Sequence, residues 1–233
     1  ASVSLVPDSV QSALNARLDA LGEAKGLLQV AALIGRRFRL DLLQAVHGPE
    51  GDIGGLIGTI TADGIVEREL HEGLVQFKFK HAMAQDIAYS SLLKSRRVEL
   101  HERLVNTLLQ DFPQSITDEP ETLARHLEGA QRYPEALAAY QRVADASRRR
   151  AAYEEAGNAY RKALQMLELT AKIEDRARQE NHLLRVLVST LTARGGYQAG
   201  ETRALLDRVS ELSTEIEDPM ARYGAVMAEW GFH

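Results

Sequence analysis

The first hundred or so residues place short apolar stripes among polar ones at helical spacing. From Pro7 onward, Val10, Leu14, Leu18 and Leu21 fall on one side of a helical wheel, Arg17 and Asp19 lie opposite, and Asp8 or Ser9 stands where an N-cap belongs. Gly22 ends that stripe. A second helix is expected at about Glu23 to Ile34, carrying Leu27, Leu28 and Ala31, and a short third around Leu40, Leu42 and Leu43. Gly48, Pro49 and Gly51 then break the chain. The apolar, glycine-rich run from Asp52 to Asp63 predicts a fourth short helix, closed by the turn Asp63-Gly64, with its glycines serving tight helix packing. At Ile65 the period changes to two. Ile65 to Leu70 and Val75 to Lys80 read as paired strands about the loop His71-Glu72-Gly73, because Val75, Phe77 and Phe79 alternate with Gln76, Lys78 and Lys80. Helices return at His81 to Leu93 and Ser95 to Phe112, the latter with Val98, His101, Leu104, Val105 and Leu108 in register. Met83, Tyr89, Leu92 and Leu93 are expected in the core.

Helices followed by a single hairpin have the layout of a winged-helix domain, with the hairpin as the wing. The polar, proline-bounded stretch Pro113 to Pro120 is the expected connector, giving a winged-helix-like domain with trailing helices at 1–112 and a helical region at 113–233. In the second region, Tyr133-Pro-Glu-Ala-Leu-Ala-Ala-Tyr140 is echoed by Tyr153-Glu-Glu-Ala-Gly-Asn-Ala-Tyr160 at an offset of 20. Alanines let helices approach closely and tyrosines fill between them. A looser echo opens at Tyr197 after Gly195-Gly196, and a last helix, Ala221 to Trp230, follows the stop at Asp218-Pro219. The array resembles tetratricopeptide repeats, although the offset departs from that family's period of about 34 residues. The fold class expected is therefore mainly α: a winged helix with one β-hairpin, then an α-helical hairpin array.

Composition narrows the function. The 233 residues are 45% hydrophobic and 26% charged, as in ordinary globular proteins, with room for one or two domains. Cysteine is absent, which removes disulfides, thiolate metal sites and cysteine nucleophiles and makes the cytoplasm the expected compartment. The net charge of -5 is spread evenly, with 12 basic and 14 acidic residues up to position 112, so neither half attracts nucleic acid by charge. Apolar runs such as Leu27 to Gly35 fall short of the roughly 20 residues that span a bilayer, so no membrane contact is expected. The start at Ala1 and the stop at His233, just after a helical pattern, suggest a piece of a larger protein.

Catalytic signatures are missing. No Gly-Lys pair exists to build a P-loop, and the run Gly51 to Gly58 neither contains lysine nor follows a strand. His71-Glu72 and His101-Glu102 begin a zinc-peptidase pattern, but Val75 and Val105 hold the places of the second histidine. No metal site is expected and no cofactor belongs to this stretch of chain. The helix before the hairpin has no arginine, lysine, asparagine or glutamine to read bases, which argues against sequence-specific DNA binding. Arg36-Arg37, Lys78, Lys80, Lys94 to Arg97 and Arg148 to Arg150 read as solvated charge.

The stretch Phe79-Lys80-His81-Ala82-Met83-Ala84-Gln85-Asp86-Ile87-Ala88-Tyr89, with Leu92-Leu93, Arg96-Arg97 and Leu100-His101 behind it, resembles the region after the P-loop ATPase in STAND-type signalling proteins. The likeness is to bacterial class III adenylate/guanylate cyclase fusions in particular. Val6-Pro7-Asp8-Ser9, Ala16 to Asp19, Leu21 and Ala32 to Phe38 are similar to the same family's start of the winged helix. The resemblance implies a winged helix packed on the ATPase of the same polypeptide, with ADP or ATP bound in that parent protein. It also implies that a histidine of a Met-His-Asp motif contacts the β-phosphate of ADP. His81 matches that histidine; Lys80 stands in place of the methionine and Ala82 in place of the aspartate. Lys80, Gln85 and Asp86 join His81 as the expected nucleotide-sensing group, and Arg96 and Arg97 are expected at a domain interface, where Asp86 could pair with one of them. The plain alternative is that His81 only caps its helix.

The expectation is a non-catalytic regulatory module whose helical arm receives an unknown protein or small ligand. A DNA-binding regulator and a helical scaffold remain the alternatives.

Overall fold

The computed structural model describes residues 8–49, 51–71, 73–171, 175–195 and 200–216. Tyr197, the stop at Asp218-Pro219 and the helix expected at Ala221 to Trp230 lie outside them. The chain divides into two compact units, residues 1–116 and 117–233.

The first unit runs α1 (Asp8–Asp19), α2 (Ala24–Ile34), β1 (Arg37–Arg39), α3 (Leu40–His47), α4 (Ile53–Ala62), β2 (Val66–His71), β3 (Leu74–Phe79), α5 (Ala82–Ser90) and α6 (Lys94–Asp111). Helix α2 is its centre: Leu27, Leu28, Val30, Ala31, Ala32, Leu33 and Ile34 are all buried, so apolar residues surround it instead of forming one stripe. Around it α3, α4, α5 and α6 each turn an apolar face inward, through Leu43 and Val46, Ile57 and Ile60, Ile87 and Ala88, and Leu100 and Leu104. Full burial of each leucine is worth roughly 1.5–3 kcal/mol.

The sheet has the order β1-β3-β2, antiparallel throughout. A two-residue connection closes His71 on Leu74, with Gly73 at φ +79 supplying the conformation such a turn demands. Phe38, Phe77 and Phe79 share the inner face; the Phe38 ring lies 5.9 Å from each of the other two. On the outer face Lys78 bridges Glu67 at 3.1 Å and Glu69 at 2.8 Å, and Arg37 meets Glu69 at 3.4 Å. The Lys78 ammonium, hydrogen-bonded to Glu69, holds that carboxyl below the usual range. Strand β1 was not legible beforehand: three residues around one buried phenylalanine are too few to show a period.

Three other expectations are corrected. The glycines of α4 serve no helix packing, since Gly54, Gly55 and Gly58 are exposed and the side chain nearest Gly54 and Gly55 is that of Asp52. Leu93 is 76% exposed, because it lies outside α5 and α6 at the N-cap of α6; its neighbour Leu92 is buried. The connector Pro113 to Pro120 is mostly helical: α7 (Pro113–Asp118) and α8 (Pro120–Gly129) each open on a proline, whose missing N–H costs nothing at a helix start.

The second unit continues from α8 through α9 (Tyr133–Arg149), α10 (Tyr153–Leu169), α11 (Arg176–Gly195) and α12 (Gly200–Glu215), each packed chiefly on its neighbours in sequence. The 20-residue echo is one helix long. Helices α9 and α10 each have 17 residues, and the corresponding Ala136, Ala139 and Tyr140, and Ala156, Ala159 and Tyr160, are all buried. Gln131 and Ala151, also 20 apart, both sit at φ +59 where one helix hands over to the next. Among the described residues no helix is long and apolar enough to cross a membrane.

Candidate functional site

The hairpin exit is built by three elements. Strand β3 is anchored on both sides as it ends, the Phe79 N–H donating to the Arg36 carbonyl at 3.0 Å and the Lys80 N–H to the Ile65 carbonyl at 3.1 Å. His81 follows in extended conformation, φ -125 and ψ 131, as the N-cap of α5. Its carbonyl accepts from the Ala84 N–H at 3.1 Å, but its side chain makes no capping bond and is exposed. The plain capping role therefore fails. An uncapped helix start, with its free N–H groups and positive dipole end, lies directly behind an exposed imidazole.

Lys80, the residue before His81, is exposed, and its Nζ lies over the turn at Gly64, as does Arg17 Nη2. Arg17 is held there by Asp63, through Nε to Oδ2 at 2.7 Å and through Nη2 to the Asp63 carbonyl. Arg17 was legible only as a solvent-facing position on its helix. Its partner lies 46 residues along, and no local pattern encodes that distance.

The other expected residues are not gathered with His81. Gln85 points inward, its Nε2 donating to the Ala32 carbonyl at 3.1 Å and so tying α5 to the end of α2. Asp86 is exposed and pairs with neither arginine. Arg96 bonds Glu99 one turn along its own helix, where the hydrogen-bonded guanidinium holds the Glu99 carboxyl below its ordinary range. Arg97 stacks its guanidinium 5.3 Å from the centre of the Tyr89 ring, and the Tyr89 hydroxyl lies 3.2 Å from His101 Nε2. Helix geometry explains the miss: a partner three residues away is reached without crossing to another element.

The exposed positions of α4 are Gly54, Gly55, Gly58, Thr59 and Ala62, none of which carries a side chain that forks onto a base, and Lys78 and Arg37 are paired with glutamates.

In the second unit a cleft of 570 Å³ opens between α8, α9 and α10, bordered by Glu121, Tyr140, Val143, Arg150, Asn158 and Lys162. Glu128 joins the three helices behind it, accepting from the Tyr140 hydroxyl at 2.6 Å and from Lys162 Nζ at 2.9 Å. Tyr160 repeats the arrangement by donating to Asp145. Burial and then that bond push the Tyr160 hydroxyl up to about 12.

No family model matches the chain. An uncharacterised protein of Rhizobium meliloti (strain 1021) is 29% identical over 129 residues, covering 54% of this chain and 12% of that protein. A STAND protein with a tetratricopeptide repeat sensor from Pyrococcus horikoshii aligns over 97% of this chain and 36% of its own, at 15% identity and a TM-score of 0.39, a likeness too distant to carry an argument. The chain thus spans much less than two thirds of the length of either protein.

Proposed function

We propose that this chain is the non-catalytic regulatory segment that follows the P-loop ATPase of a cytoplasmic STAND-type signalling protein, of the kind fused to class III adenylate/guanylate cyclases. Residues 1–112 act as a winged helix that reports whether ADP or ATP is bound, and residues 113–233 as a tetratricopeptide-like arm that binds a protein or small ligand. The observation that carries the reading is His81: an exposed imidazole at the end of an anchored strand, at an uncapped helix start, preceded by Lys80, whose ammonium shares the Gly64 turn with Arg17. That assembly suits a phosphate offered by a neighbouring domain. The order helix, strand, two helices and hairpin, with β1 paired to β3, supports the winged helix. Gln85 has a structural part in this scheme, seating α5 on α2 so that His81 is presented from a fixed base.

The test is made in the full-length protein. His81→Ala is expected to speed ADP release, and deletion of the arm to change nucleotide turnover. Unaltered ADP retention in the first and unaltered turnover in the second would refute the two role assignments separately. Retarded migration of duplex DNA at low salt would favour the DNA-binding alternative instead.

A further inference from the structure

A second cleft, of 480 Å³, lies in the first unit between α2, the end of α3 and the start of α6. Gly26, Val30, Gly48, Pro49, Leu92 and Leu100 give it an apolar floor and mouth; Gln29, His47, Arg96 and Arg103 are its polar side chains. An apolar body with a few convergent polar groups is the make-up of a small-molecule site, and the volume is of that class. His81, Lys80, Gln85 and Asp86 have no part in it, so it stands apart from the site proposed above.

The polar groups are fixed in place. Arg103 donates from Nη1 to the carbonyls of Val46 at 3.1 Å and His47 at 3.2 Å, which closes the end of α3 and sets the guanidinium at the cleft wall. Glu99 stands between the two arginines, bonded to Arg96 and 3.6 Å from Arg103 Nη2. One carboxylate against two guanidinia leaves positive charge and several N–H donors over. His47 Nδ1 is buried without a hydrogen-bond partner, and a buried polar atom of that kind needs an explanation. Gln29 donates to Ser91 Oγ at 2.9 Å, which fixes its amide at the rim. At Gly26 a Cβ would meet nothing within 4 Å, so a helix position that any residue could fill is left as glycine beside the opening.

We infer that this cleft binds an organic phosphate, with the phosphoryl group against the cleft-lining sides of Arg96 and Arg103 and an apolar body over Val30, Leu92 and Leu100. A phosphoryl group, with up to two negative charges and three acceptor oxygens, takes more of the charge and N–H donors that Glu99 leaves over than a carboxylate with one charge and two coplanar oxygens.

The probe is phenyl phosphate, titrated into the 233-residue chain by calorimetry, with inorganic phosphate and benzoate as comparison arms. Saturable binding of phenyl phosphate is expected, tighter by on the order of tenfold than either comparison. Arg96→Gln should weaken it by on the order of tenfold or more. Gly26→Leu, which keeps every bond described, should abolish it by filling the mouth in a protein that still melts cooperatively. His81→Ala should leave it unchanged, so that failure here and failure of the nucleotide-reporting role are read separately. Absence of saturation, equal affinity for benzoate, or binding that survives both Arg96→Gln and Gly26→Leu would overturn the inference.

Discussion

Replacing Ala151 by glycine should make the protein more stable, although it deletes a methyl group. Helix α9 ends in a pair of reverse bonds, the Ala151 N–H donating to the Arg148 carbonyl at 3.0 Å and the Ala152 N–H to the Ser147 carbonyl at 2.9 Å. That pairing forces the intervening residue into the left-handed region, and Ala151 stands at φ +59. A Cβ there costs roughly 1–2 kcal/mol. Glycine removes that cost but frees the unfolded chain, which takes back about 0.4–1 kcal/mol. Ala151 is exposed, so its methyl contributes little burial. The balance is a gain of about 0.5–1 kcal/mol, or a rise in Tm of roughly 1–4 °C for a chain of this length.

The assay is thermal and urea unfolding of Ala151→Gly beside Ala138→Gly. Ala138 is exposed in the interior of α9, so glycine there brings the entropic loss alone and should lower stability by about 0.5–1 kcal/mol. Opposite signs at the two positions are the signature. If Ala151→Gly leaves stability unchanged or lower while Ala138→Gly falls as expected, the left-handed cap is not strained and the reasoning is wrong. Gln131, with φ +59 and the same two bonds at the end of α8, gives an independent repeat.

Phe79→Ala should cost about 3–5 kcal/mol in chemical denaturation, because the ring is fully buried against Phe38 and its loss leaves a cavity that a sheet cannot collapse. Tyr160→Phe should flatten the alkaline limb of a stability-versus-pH curve. The folded hydroxyl titrates above its ordinary value of 10.0, at about 12, so its stabilisation is complete below the ordinary value and lost as pH rises through about 12; the variant lacks that loss. Gly26→Ala should stabilise by about 0.5–1 kcal/mol, since its Cβ meets nothing and alanine favours the helix, with a rise in Tm as the readout.

What the sequence made legible follows from how local each cause is. Helices α2 to α6 and the hairpin were readable because their apolar positions recur within a few residues, and the second region because Tyr133 to Tyr140 is repeated at Tyr153. Strand β1 exists only through its pairing with β3, some 40 residues away, so nothing near Phe38 announces it. At the candidate site His81 was singled out by its match to the histidine of the Met-His-Asp motif, and the alternating strand and following helix set its place at the start of α5. Arg17 was not, because Asp63 recruits it, and neither was the inward turn of Gln85, which depends on a carbonyl left open at the end of α2. The glycines of α4 misled because small residues suggest close packing even where the face they form meets solvent.

The second unit also shows what a one-helix repeat needs beyond the repeat itself. Packing each helix only on its neighbours leaves every helix free to roll about its contact line, since apolar contact is not directional. Bonds that skip a helix remove that freedom. Arg161 and Lys162, consecutive on α10, do so in opposite senses: Lys162 reaches back past α9 to Glu128 on α8, and Arg161 reaches forward past α11 to Glu201 on α12 at 2.7 Å. The array is thereby closed into two triangles that share α10. Half-exposed ion pairs of this kind are worth only about 0–1 kcal/mol each, so their effect is on register far more than on stability. Neither pair follows from the 20-residue echo, because Tyr140-Gln141-Arg142 stands on α9 where α10 has Tyr160-Arg161-Lys162. The repeat supplies interchangeable helices, and the residues that break it give α10 its place among them.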